Sequence, residues 1–228
     1  MTVDWTRLLR GLALLAWAVF FDWLWLSGRA SLYVGPRTTW VVVFGAITLT
    51  AAAVLYLAGV LTREPAPAPK AVELRSLGVL VAPLLLAIMA PAVSLGAQAV
   101  EQKRGANGEA LAKRLASDGQ EVRLYELAVA KDNPGWAKGR GIEVGMKVEF
   151  DGFVSRTAVD GTIELSRFMA SCCAADALPY SIDVALPEGT TAPEKNDWVR
   201  VRGTVAPRRE GVDAVSVEAI ERPVDAYG

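Results

Sequence analysis

Apolar positions along this chain follow two patterns: long unbroken runs before residue 100 and short alternating segments after residue 120. Thr38 to Thr62 is an uncharged run of 25 residues, and Ser76 to Val100 is a second of the same length. About 20 apolar residues in a helix span the hydrocarbon core of a bilayer, so each run predicts a transmembrane helix. Pro83 and Pro91 lie in the second run, where neighbouring helices can satisfy the backbone groups that proline frees. A further apolar segment opens the chain. Within it, Leu12 to Phe21 also fits the core of a signal peptide, with Arg7 and Arg10 as its basic start. No A-x-A pattern follows, and Trp23 and Trp25 prolong the segment, which favours an uncleaved helix. The reading is three spans, near 8–27, 38–62 and 76–96, within a membrane region 1–100.

Beyond residue 120 the period changes. Segments 122–127, 146–155, 162–170, 181–186, 198–206 and 215–220 read as strands separated by Gly, Pro, Asp and Asn. GMKVEFDGFV (145–154) and DWVRVRGTV (197–205) resemble each other, each with a glycine two positions before its last residue. A glycine within a strand marks a bulge or bend. Bent strands suit a small closed barrel of the oligonucleotide/oligosaccharide-binding (OB) type, although a small sandwich gives a similar pattern. The fold class expected is therefore a membrane α-helical region followed by an all-β domain over 121–228. Residues 101–120 form a polar juxtamembrane stem, and the Pro65/Pro67/Pro69 stretch predicts a stiff extended loop.

Charge sharpens this division. Residues 1–100 carry 7 basic and 4 acidic side chains, whereas 101–228 carry 17 and 21. An acidic soluble half lacks the basic footprint that phosphate recognition needs, so no nucleic-acid partner is expected. The chain has no histidine, which excludes His-based catalytic triads and imidazole-ligated metal sites. Five of seven tryptophans (Trp5, Trp17, Trp23, Trp25 and Trp40) lie in the front region, where interfacial aromatics belong. With three spans, Arg7, Arg10, Arg63, Lys70 and Arg75 fall on one side and Arg29, Arg37, Lys103 and Arg104 on the other. That count favours an inside N-terminus and an extracytoplasmic C-terminal domain. Asp22 is the carboxylate within the first span; it marks a partner contact or a translocation path, or it reaches water near the helix end.

RFMASCCAADALPY (167–180) holds the densest chemistry. Cys172 and Cys173 are adjacent, Arg167 lies upstream and Asp176 follows. Two thiolates and a carboxylate in a loop can converge on a soft or transition metal ion, and a nearby positive charge lowers a thiol pKa. Adjacent cysteines can also form a strained, reducible vicinal disulfide. Against chelation, a regular strand would point the two side chains to opposite faces. Buried free cysteines are also ordinary packing residues. Candidate binding residues are Arg167, Cys172, Cys173 and Asp176, with Cys172, Cys173 and Asp176 as the metal-ligand subset. No enzyme activity is expected, since neither a cysteine nucleophile's base nor a phosphate-cradling loop is evident.

These motifs resemble the YcgQ-like bacterial membrane proteins, a family described as permease subunits. SGRASLYVGPR (27–37) is similar to its first loop, and LGVLVAPLLLAIMAPAVSLG (77–96) to its proline-bearing helix. GMKVEFDGFV, SRFMASCCAADALPY and DWVRVRGTV are similar to its soluble domain, the CCAADA segment being the most specific. The motif positions carried over are Arg167, Phe168, Cys172, Cys173, Ala175, Asp176 and Pro179. The resemblance implies a multi-pass cell-membrane accessory subunit partnered by the lipid bilayer and a separate polytopic permease. Relatives often carry a histidine-rich loop between the second and third spans; this chain's loop has no histidine, which weakens the case for metal handling or confines it to CCAAD. A membrane-tethered metal-binding or thiol-redox protein is the alternative, and a structural membrane protein with packed cysteines is a third reading.

Overall fold

The computed structural model describes residues 5–62, 71–89, 95–105, 122–157, 160–207, 211–223 and 227. The chain divides into two compact units, Met1–Val93 and Ser94–Gly228. The Pro65/Pro67/Pro69 loop, Pro91 and most of the 101–120 stem lie outside the described residues.

The first unit contains α1 (Trp5–Leu26), α2 (Thr39–Thr62) and α3 (Ala71–Met89). Its helix contacts are built on small residues: Ala18, Ala46 and Ala53 are buried, and Gly45 lies under the Phe21 ring. Small side chains let apolar helices approach where no hydrophobic force drives them together. Gly28 ends the first helix in a left-handed conformation (φ 70°), and short 3-10 turns lead into α2. The Thr50 hydroxyl of α2 donates to the Asp22 carboxylate at 3.0 Å, giving that side chain a neighbour within the unit.

Among the described residues two helices, not three, have the length and composition to cross a membrane: Arg7–Leu26 and Thr39–Gly59. The third expected span is corrected. Its apolar helical part among the described residues is Leu77–Met89, short of the roughly 20 residues required. The far end of the same uncharged run is used otherwise: Ala97 and Val100, in α4 (Ala97–Gln102), are buried against the second unit's aromatic face. A hydropathy run cannot distinguish residues that face lipid from residues that cover a protein core.

In the second unit, β1 (Lys147–Thr157), β2 (Thr162–Met169), β3 (Leu178–Ala185), β4 (Trp198–Val205) and β5 (Gly211–Ala219) close into a barrel of order β1-β2-β3-β5-β4. This is OB-type connectivity, and closure removes the sandwich alternative. The long β1 pairs with β4 through Lys147–Phe153 and with β2 from Phe153 onward, with a register shift between Val154 and Arg156. β3 and β5 run parallel. Inward side chains Val148, Phe150, Ile163, Leu165, Ile182, Val184, Val199 and Val201 form the core.

The expectation of a strand at 122–127 is also corrected: Leu124–Asp132 is a helix, α5, followed by the short α6 (Pro134–Gly139). Leu124, Tyr125, Leu127, Val129 and Ala130 join the barrel core, so the helix contributes a broad apolar surface. Glu126 is fully buried. It accepts the Arg123 backbone N–H at 2.9 Å, half of a capping box, and Arg140 Nε at 2.7 Å.

Outside the barrel, α4 covers Phe153 and Phe168, whose rings stack at 5.9 Å. Arg104 then forks onto Glu101 and Glu164. Ser155 donates to Glu164 at 2.7 Å, Ser166 donates to Ser155 at 2.7 Å, and Ser181 lies 2.6 Å from Ser166. The buried hydroxyls are thus satisfied as one chain ending on a carboxylate.

Candidate functional site: the Cys172–Cys173–Asp176 turn

β2 ends with Phe168 and Met169 buried, and Ala170 N–H donates to Tyr227 O at 3.3 Å. The chain then leaves the sheet, so the face alternation of a strand no longer governs the next residues. Cys173 is extended (φ −154°, ψ 171°) and starts a 3-10 turn over Ala174–Asp176. The Asp176 carboxylate folds back to accept Cys172 N–H at 3.1 Å and Cys173 N–H at 3.1 Å. This closes a small ring that places both side chains on one side. The two sulfurs lie 3.7 Å apart, Cys172 donating toward Cys173. One ligand atom from each of Cys172, Cys173 and Asp176 lies within 4.8 Å of the others. The two sulfurs are not joined in a disulfide; Cys172 is exposed and Cys173 partly so.

Electrostatics make the pair unequal. Cys172 is pushed up to about 11, first because its thiol is held by Cys173 and next by the Asp176 carboxylate. Cys173 is drawn below the ordinary thiol value, chiefly by the backbone N–H of Ala175 and then by the Cys172 S–H. Of the two thiols, Cys173 is the one whose surroundings favour the thiolate.

Arg167 is placed differently from the other candidates. It lies on β2 opposite Tyr180, with its guanidinium 5.9 Å from the Trp198 ring centroid. Lys103 holds the turn from outside: its ammonium donates to Ala177 O at 2.6 Å and Ala175 O at 3.2 Å. Nothing in the sequence pointed to Lys103, which is more than 70 residues from its partners. Asp22 belongs to the first unit, where its carboxylate accepts the Thr50 hydroxyl.

A second feature of the barrel unit is an open groove of about 480 Å³ lined by Arg156, Asp160, Glu164, Asp183 and Asp213, among others. None of the cysteine-turn residues lines it.

Two solved structures are similar to part of the chain. One is telomere capping protein Ten1 from Saccharomyces pombe, 13% identical, with 45% of this chain and 81% of that chain covered at a TM-score of 0.29. The other is the S. pombe Stn1-ten1 complex, 15% identical, with 46% and 80% covered at 0.27. No curated protein matches the sequence. Residues 143–226, which hold all five strands and the cysteine turn, match the DUF1980 C-terminal domain, in keeping with a YcgQ-like family for this part of the chain.

Proposed function

We propose that this chain is a multi-pass membrane accessory subunit of a transport complex, acting beside a polytopic permease through the cysteine turn of its barrel. The supporting observation is the placement of two thiols and a carboxylate on one exposed turn of a closed barrel. Packing cysteines would be buried in the core, and these are not. The two long apolar helices of the first unit supply the anchor. Resemblance to permease subunits supplies the partner class. The side of the bilayer follows the number of crossings: three would put the barrel outside, whereas these two return it to the side of Arg7 and Arg10, so in this reading the barrel faces the inside.

The test is recovery of the full chain from its native membrane in mild detergent, with mass spectrometry of what accompanies it. A Cys172→Ser/Cys173→Ser variant is processed in parallel. Stoichiometric recovery of one polytopic permease is expected, with loss in the variant if docking uses the turn. Recovery of no partner overturns the subunit reading. The self-contained metal-binding or thiol-redox protein would then be favoured by the 3.7 Å sulfur separation.

A further inference from the structure

We propose that Cys172, Cys173 and Asp176 form an open two-sulfur, one-oxygen site for a zinc-like divalent cation, held for exchange with another molecule. This rests on the reading above only in taking the turn as the acting surface. The argument is geometric. Two sulfurs about 2.3 Å from one tetrahedral ion stand roughly 3.8 Å apart, and a linear two-sulfur ion with the same bonds would need about 4.6 Å. The observed separation is 3.7 Å. A tetrahedral sulfur–oxygen edge is about 3.5 Å, so the three donors, already within 4.8 Å of one another, need only side-chain rotation of about 1 Å.

Asp176 has two uses here. Its bonds to both cysteine N–H groups fix the backbone that carries the sulfurs. A carboxylate has about four lone-pair sites, which leaves acceptor capacity for a cation. Lys103 clamps the carbonyls at the other end of the turn, so the donors stand on a braced loop. Structural zinc sites are closed by four protein ligands, whereas sites that react or exchange keep a position open. Three donors on an exposed turn are of the second kind, and the fourth position is open to a water or a donor from another protein.

The full-length chain, in detergent, reduced and stripped of metal, would be titrated with Zn²⁺ against a chromogenic chelator. Co²⁺ would serve as the spectroscopic probe. Expected are one ion per chain, thiolate-to-cobalt charge transfer, and protection of both cysteines from alkylation. Cys172→Ser and Cys173→Ser should each weaken binding by roughly 100-fold or more, the loss of a direct ligand exceeding that of an outer-shell partner. Asp183→Asn, in the acidic groove, should leave binding unchanged. Failure of Zn²⁺ to protect the unmodified chain's thiols overturns the site without needing any variant to fold. Binding that survives both serine variants, or is lost equally in Asp183→Asn, also overturns it. Partner recovery without metal binding sinks the cation site alone; metal binding without a partner supports the site and sinks the subunit reading.

Discussion

Glu126 carries a charge into the barrel unit's core, and its acceptors are matched to named donors: the Arg123 N–H and the Arg140 guanidinium. Breaking a buried ion pair from one side leaves the other charge uncompensated. Arg140→Ala is therefore expected to destabilise the barrel unit by about 3 kcal/mol. Glu126→Gln, which removes the charge and keeps an acceptor, should cost less; the thermal unfolding midpoints of the two variants compare them. Glu164 gives a pH signature. Burial opposes its ionisation, yet hydrogen bonds from Arg104 and Ser155 outweigh that and hold its carboxyl below the usual range. A depressed folded pKa stabilises above the unfolded value of about 4.3, and the contribution is lost as pH falls through the folded value. Acidification below about pH 4 should lower the unfolding midpoint, and less steeply in Arg104→Gln, where the main donor is gone. Equal acid slopes would refute this role for the pair. Among these residues the sequence displayed the cysteine pair and Asp176 plainly, because they are neighbours. It could not display Lys103 or Arg140, whose bonds depend on where distant segments are brought by the fold.

At the scale of elements, the two strand glycines noticed in the repeat turn out to have different reasons. Gly203 lies at the register shift between β4 and β5, and a Cβ there would sit 2.4 Å from Asp213 O. A Cβ on Gly152 would sit 2.9 Å from Leu124 Cδ1, the end of an α5 side chain, and farther, 3.3 Å, from the Ser166 backbone oxygen. Backbone cannot yield cheaply, whereas the end of a leucine side chain can rotate. Gly203→Ala should cost about 2 kcal/mol and Gly152→Ala distinctly less, read from unfolding midpoints. Similar losses at both positions would argue against the distinction. Elsewhere on β1 and β4, Asp151 faces Arg200 and Glu149 faces Arg202 in register, each pair joined by two hydrogen bonds. Alternation at period two was enough to place five strands. It misplaced 122–127 because a short helix whose residues are nearly all buried shows no polar face to reveal a 3.6 period. The signal that was available is Glu126, three residues after Arg123 and in position to cap its N–H.

For the whole molecule, the number of crossings decides which side of the bilayer the barrel occupies. Two crossings with an inside N-terminus keep Cys172 and Cys173 inside, whereas a third would expose them outside. A membrane-impermeant maleimide should therefore label them only after permeabilisation, and prior treatment with a permeant thiol blocker should abolish the signal. Labelling of intact cells would place the barrel outside and refute the two-crossing reading. The sequence by itself determined what local composition can determine: two helices long and apolar enough to span, five alternating strands, and two thiols beside a carboxylate. Those properties are set within 5 to 25 consecutive residues by side-chain period and hydrophobicity. Only tertiary structure decided that the strands close into a barrel, that the end of the third apolar run covers aromatic rings, and that the two sulfurs face each other. Each of these depends on register and on bonds between segments far apart in the chain, where hydropathy carries no information.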